Sequence, residues 1–439
     1  MLNKILFKHI DNSPLVVFRI IFGLLCFLES VGAIFTGWIK RTMIDPEFTF
    51  NFIGFEFLQP LPGNLMYAYY LVMGIFGLGI MLGYKYRWST LAFTIMWSGT
   101  YFMQKASYNN HYYLLILLSV IMVFQPANTY ASIDAKQNPN LKSLSVPRWT
   151  TLLFIVQMFI VYTYASIAKI YPDWIDLTVP ELLMQAKKHY YLIGDVLQEK
   201  FVHYLVAYGG ILYDGLIIPL LLFKPTRKLA FFASIFFHMF NSIVFQVGIF
   251  PYLALGFSVF FFEPKTIQKL FLKKKPYYEA AEIKTPNNYK PILVVVAIYF
   301  MIQIALPLRQ HVIPDNVLWT EEGHRLSWRM MLRTKAGTVT YTVVDKNNEG
   351  RRNIKLQDYL SKKQMRMAAT KPDVIWQFSQ RLKKEYANKG MDVSVFVDSK
   401  VSVNGRPYQQ FTDPKVDIAA LPWEVFKHSS WILPSKLDK

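Results

Sequence analysis

The sequence predicts a membrane all-α bundle of about nine transmembrane helices, followed by an α+β extracytoplasmic domain. Three observations point there. The 439 residues are 53% hydrophobic and only 18% charged, below the roughly 25% charge of ordinary soluble domains. The apolar residues gather into long stretches before residue 308, with most basic residues in the short segments between them. Beyond residue 308 the pattern turns to β-branched alternation and mixed helical periodicity. The chain is therefore divided into a transmembrane bundle, 1–307, and a C-terminal domain, 308–439.

The first apolar run, Pro14 to Trp38, is longer than a signal-peptide core, contains Arg19 and Glu29, and lacks a small-residue cleavage pattern, so it reads as a retained helix. Further spans are expected at about 66–83, 88–105, 111–126, 149–169, 202–223, 229–247, 249–263 and 291–307. Pro251 begins the eighth of these or kinks one longer segment. With the N-terminus inside, the inner segments carry 17 Lys and Arg, among them Lys85, Arg148 and the run Lys273–Lys275. The outer segments before the last span carry 6: Lys40, Arg41, Lys105, Lys187, Lys188 and Lys200. That bias obeys the positive-inside rule and sends the C-terminal domain to the outer side. The formal charge of +19 is thereby read as topology and lipid attraction, without a nucleic-acid partner. Cys26 is the one cysteine, which excludes an intrachain disulfide and a cysteine metal cluster.

In the C-terminal domain, Thr338–Asp345 and Met391–Val403 read as strands, Asn404-Gly405 as a tight turn, and Leu356–Lys389 as a helix pair broken near Pro372.

Ionisable groups within apolar segments are costly unless paired or turned to a polar cavity, so they mark candidate sites. Arg19 and Glu29 lie ten residues apart, about 15 Å along a helix axis, and are expected to find partners on other helices. Lys169 ends the fifth span, with Tyr162 and Ser166 spaced to share its helical face. It either snorkels to the interface or lines a pocket, where an apolar setting disfavours the ammonium form and leaves the amine usable as a base. His111 opens the fourth span in Tyr108-Asn109-Asn110-His111, at the same outer depth as Lys169. His238 shares a helix side with Asn241 and Ser242 and reads as a core or a binding histidine. His111, His189, His203 and His238 have no compact ligand spacing, and no metal is expected. Leaving the last span, Arg309, Trp319, Glu321, Arg325, Trp328 and Arg329 form a polar-aromatic stretch. Its arginines could grip a carboxylate between tryptophan walls, or it is an interface belt.

Several of these motifs in one order carry a resemblance. They are Tyr108-Asn-Asn-His111 with Tyr113; Val161-Tyr-Thr through Ala168-Lys169 to Asp173-Trp174; Phe237-His238 with Asn241-Ser242; and Pro307-Leu-Arg309 through Trp319-Thr-Glu-Glu-Gly323 to Trp328-Arg329. A fifth runs from Val397 through Asn404-Gly-Arg-Pro-Tyr to Asp417. The chain resembles the vitamin K-dependent gamma-glutamyl carboxylases, in their bacterial form, with an N-terminal HTTM domain. The resemblance implies that Lys169 is the base that deprotonates reduced vitamin K, a menaquinol-like hydroquinone. It further implies that Asn110 and His111 belong to the quinol site; Asn109, Tyr162, Ser166, His238 and Asn241 stand beside them as binding candidates. Oxygen and CO2 are then co-substrates, and quinol epoxidation drives carboxylation of a glutamate in a peptide or protein, for which the outer arginine-tryptophan stretch is the candidate surface. The family's second lysine is Ala168 here, and its cysteine bridge is absent, so noncovalent packing must hold the outer domain. The implied location is a bacterial inner membrane, N-terminus cytoplasmic and C-terminal domain periplasmic. A quinol-binding, epoxidising or transport protein without carboxylase activity is the alternative. The peptide target, the quinone tail and the oligomeric state are not readable from the residues.

Overall fold

The structure, a computed structural model, describes residues 2–437. Helices occupy all nine expected places. Six are long and apolar enough to cross a membrane: α1 (Ser13–Phe35), α2 (Leu65–Leu82), α5 (Trp149–Ile167), α6 (Lys200–Leu222), α7 (Arg227–Phe245) and α9 (Tyr289–His311). The expected count of nine is not reached on length and composition. Helix α4 (Asn110–Phe124) and helix α8 (Phe250–Phe260) are apolar but short. Helix α3 (Tyr86–Met103) has 18 residues, but Arg87 and a run of Ser and Thr dilute its hydropathy. Those hydroxyls are answered within the bundle: Thr90 and Thr94 each donate to the carbonyl four residues back, which removes the cost of burying them.

The bundle core is aromatic. Phe18 of α1 packs against Phe154 of α5 and against Phe257 and Phe260 of α8, with centroids 4.8 to 5.1 Å apart. Glycine lets α1 and α2 approach closely: a Cβ on Gly23 would stand 2.2 Å from the Met81 nitrogen. Arg19 donates to the carbonyls of Ala127 and Ala131 beyond the end of α4, and Glu29 accepts from the Tyr112 hydroxyl on α4 at 2.7 Å. The two charges thus answer separate partners.

One end of the bundle is closed by the segments before α1, before α5 and before α9. Strand β1 (His9–Asp11) pairs antiparallel with β2 (Ser145–Pro147). Lys275 reaches Asp11 at 2.6 Å with both side chains fully buried, and the His9 amide donates to the Glu282 carbonyl.

At the opposite end lies a four-stranded antiparallel sheet of order β4-β3-β5-β6. Strands β3 (Lys335–Asp345) and β5 (Val393–Val403) pair over their whole length, Lys335 opposite Val403 and Asp345 opposite Val393. Strand β4 (Arg351–Asn353) flanks β3, and β6 (Gln409–Gln410) flanks β5. The alternation of β5 turns Val393, Val395, Val397, Val401 and Val403 into the core. They meet Val374, Ile375, Phe378 and Leu382 of helix α11 (Pro372–Ala387), each burial contributing roughly 1.5–3 kcal/mol. Helix α10 (Lys362–Thr370) precedes it and starts with a reciprocal Ser361–Gln364 capping box. The break at Pro372 and the turn at Asn404 (φ 52°) and Gly405 (φ 75°) fall where the sequence places them.

No disulfide ties this domain down among the described residues; Cys26 is buried and free. The junction is polar and tight. Asp173, just after α5, takes a two-pronged contact from Arg406 and a 2.7 Å bond from the Asn404 amide. Lys105 and Arg325 share Asp373 at 2.9 and 3.0 Å. The two cores also trade residues. Trp328 sits in the bundle core, and Trp174, Val179 and Ala207 sit in the outer one.

Candidate functional site

Lys169 lies two residues beyond the end of α5, its chain turned back along the helix so that Nζ donates to the Ala165 carbonyl at 3.1 Å. From α6, Asp214 brings Oδ2 to 2.5 Å from that Nζ. Lys169 is 9% exposed and Asp214 6%, so the pair is nearly cut off from water. Gly215 permits the approach: a Cβ there would stand 3.1 Å from the Ser166 hydroxyl.

The pair faces a cavity of about 260 Å3, lined by His111, Tyr162, Lys169, Trp174, Tyr213, Asp214, Phe237, Asn241, Phe250 and Met330 among others. It lies between α5, α6, α7 and the start of α8. Both α6 and α7 widen to a π-helical turn alongside it, at Leu205–Gly209 and Asn241–Phe245, a local irregularity frequent at functional sites. His111 stacks on Phe250 at 4.3 Å. Behind the wall, the Nε2 of His238 meets the hydroxyls of Tyr162 at 3.0 Å and Tyr213 at 3.1 Å, while its Nδ1 is buried without a hydrogen bond.

The structure brings together Lys169, His111, Tyr162 and Asn241 at the cavity, with His238 one layer out. Three other candidates turn elsewhere. Asn109 caps α4, accepting from the Tyr112 amide at 2.7 Å. Asn110 donates to the Arg329 carbonyl at 3.0 Å and accepts from Tyr108, which stitches bundle to outer domain. The Ser166 hydroxyl donates to the Ile211 carbonyl at 2.9 Å and holds α5 against α6. Sequence reasoning missed Asp214 and Tyr213. Asp214 was the available signal, an acidic residue inside an apolar run, and Gly215 beside it sits at a close helix approach.

A second cavity, about 350 Å3, opens at the junction and is lined by Lys105, Tyr108, Arg309, Glu321, His324, Arg325, Arg333, Lys371 and Asp373 among others. Of the six outer candidates, Arg309, Glu321 and Arg325 line it. Trp319 is buried in the outer core, its indole donating to the Leu433 carbonyl. Trp328 stacks on Tyr113 at 5.1 Å, and Arg329 is buried with its Nε unbonded. Burial opposes ionisation of Glu321, but Arg333, Lys371 and Lys335 outweigh it and hold the carboxyl well below its ordinary value. Burial also opposes ionisation of Asp373, yet Arg325 and Lys105 bring it down to about 2. Burial and the neighbouring Arg333 pull Lys371 down to about 8. The lining carries five Lys and Arg against four Asp and Glu, and Lys105, Arg325, Arg333 and Lys371 pair with Asp373 or Glu321. Among the described residues no group of three or more His, Cys, Asp or Glu could hold a metal ion.

An apolar chamber holding a lysine–carboxylate pair, under a charged vestibule, is the setting in which two family models match. The HTTM domain covers residues 7–265, and the vitamin K-dependent gamma-carboxylase, lumenal domain covers 288–438. The chain belongs to the vitamin K-dependent gamma-carboxylase family with an HTTM domain. No solved structure matches it. The carboxylase-family models divide the chain just before α9, so that this helix falls with the lumenal part. In this gamma-carboxylase-family chain Lys169, Asp214 and His111 all lie within the HTTM match, and the vestibule draws on both matches.

Proposed function

We propose that the chain carboxylates the γ-carbon of glutamate in a peptide or protein, coupled to O2-dependent epoxidation of reduced vitamin K. The observation that carries this is the buried Lys169–Asp214 pair lining an apolar cavity in a chain of this family. The residues fit a hydroquinone headgroup: flat aromatic walls from Phe250 and Tyr213, a lysine at one side, and an unanswered His238 Nδ1 nearby. When bound, reduced vitamin K with O2 would supply the strong base that takes the γ-proton, becoming the epoxide as CO2 adds to the glutamate. Lys169 takes up a proton from a hydroxyl in the cavity. His111, Tyr162 and Asn241 orient the ring. Phe237, Phe250 and Met330 exclude water, which would quench carbanion chemistry. Arg309, without a carboxylate partner among the described residues, draws the acidic peptide into the vestibule, with Glu321 holding Arg333 and Lys371 in place.

We further propose nine crossings, with the bundle as 1–307 and the outer domain as 308–439. The β1–β2 pairing and the Lys275–Asp11 bridge support it, since they bring the starts of α1 and α5 and the segment before α9 to one end. Eight crossings then precede α9. With the charge bias this supports a cytoplasmic N-terminus and an outer domain in the periplasm of a bacterial inner membrane.

The test is mass spectrometry of a glutamate peptide incubated with membranes, reduced quinol, O2 and labelled bicarbonate. The unmutated protein should add one labelled carboxyl group, and Lys169→Ala should lower the rate at least about 100-fold. Full turnover in Lys169→Ala would overturn the assignment. Epoxide formation without label in any acidic peptide would instead mark a quinol epoxidase without carboxylase activity.

A further inference from the structure

We propose that Asp214 receives the proton that Lys169 gives up, so that the pair, and not the lysine alone, acts as the base. This rests on the reading of the cavity as a hydroquinone site and goes beyond it by naming the second station of the proton.

The contacts of Nζ carry the argument. An ammonium group has three protons to donate. Two directions are taken, by Ala165 O at 3.1 Å and Asp214 Oδ2 at 2.5 Å, which leaves one for a hydroxyl in the cavity that both residues line. In that state the lysine can only donate. To accept, it must pass a proton on, and both partners are nearly closed to water. The Ala165 carbonyl cannot keep a proton. The other titratable groups facing the cavity have no contact with Nζ: Tyr162 and Tyr213 are engaged with His238, and His111 lies on Phe250. Asp214 is the acceptor within reach.

The step balances without a further reactant. The substrate O–H bond breaks as a new N–H bond forms on Nζ, and an existing N–H bond of Nζ breaks as an O–H bond forms on Oδ2. The lysine keeps its proton count, the pair gains one positive charge, and the substrate loses one. A lone lysine would have to enter the dry chamber already neutral. A pair enters with no net charge in either of its tautomers, which lowers the cost of burying it. Gly215 lets α6 lie close to α5, since a Cβ there would crowd the Ser166 hydroxyl.

The test reads the proton directly, without turnover. Full-length protein in lipid nanodiscs is mixed with reduced menadione under anaerobic conditions, and infrared difference spectra are recorded in H2O and D2O. The expected result is a new carbonyl band of a protonated carboxylic acid that shifts in D2O. The band should move in Asp214→Glu and vanish in Asp214→Asn, with thermal melting confirming that both variants fold. In turnover, Asp214→Asn should lose about 100-fold in kcat with the quinol KM within about threefold, and Asp214→Glu should regain part of it. Turnover without the band in the unmutated protein, or an undiminished kcat in Asp214→Asn, would overturn the relay while leaving the carboxylase reading intact. The band in a protein that never forms epoxide would uphold the pair and sink that reading.

Discussion

Arg19, Glu29, Lys169 and Asp214 in the bundle each meet a partner from another part of the chain, and the kind of partner decides what the residue can do. Arg19 is spent on carbonyls beyond α4 and Glu29 on a tyrosine hydroxyl, so both are structural. Lys169 and Asp214 answer each other beside a cavity, so their protons can be drawn into chemistry. Arg19→Met removes the donor and strands the carbonyls in a fully buried site; we expect a loss of roughly 2–4 kcal/mol, read as a fall in thermal midpoint in detergent. Lys169 was legible in the sequence because a lysine at the end of an apolar run stands out and its motif is specific. Asp214 was legible only as an acidic residue in an apolar stretch, because nothing in sequence spacing relates positions 169 and 214.

At the scale of elements, helix proximity is set by glycine. Gly23→Ala should destabilise the protein by about 2 kcal/mol or more, because its Cβ would meet the backbone of Met81, which cannot step aside as a side chain can. Gly32→Ala on the same helix meets nothing within 4 Å and should be neutral or stabilising by up to about 1 kcal/mol. Calorimetry of the two variants in one detergent checks the contrast. The same logic holds α6 against α5 at Gly215 and so sets the Lys169–Asp214 distance. The strands and the helix pair of the outer domain were legible from period-2 and 3.6 alternation. The status of α3, α4 and α8 was not, because a helix packed among others can be short or hydroxyl-rich when its polar groups bond internally.

For the whole molecule, the junction between bundle and outer domain rests on buried charge. Asp373 is held down to about 2 by Arg325 and Lys105 against the pull of burial, from an ordinary value near 4. Its contribution is therefore complete above about pH 4 and is lost as pH falls towards 2. Limited proteolysis should show the outer domain loosening over that window, and Asp373→Asn should loosen it at neutral pH as well. The bidentate Asp173–Arg406 contact gives a second handle: Arg406→Ala should raise the proteolysis rate about tenfold or more, since it leaves Asp173 buried with only Asn404. Nine crossings can be tested by labelling, since Cys26 is buried and gives little background. A cysteine at Gly390 should react with an impermeant reagent on intact cells, and one at Lys142 only after permeabilisation.

The sequence alone determined where this chain's apolar runs stop and start, enough to mark a membrane protein, and it placed Lys169 and His111 at the ends of two such runs. Those features are local, because hydropathy, charge bias and alternation are sums over neighbours in the chain. The tertiary structure alone decided which polar groups meet. Asp214 reaches Lys169 and Arg406 reaches Asp173, while Asn109, Asn110 and Ser166 turn to capping and stitching. Such pairings depend on the rotation and spacing of helices far apart in sequence, which close packing settles all at once.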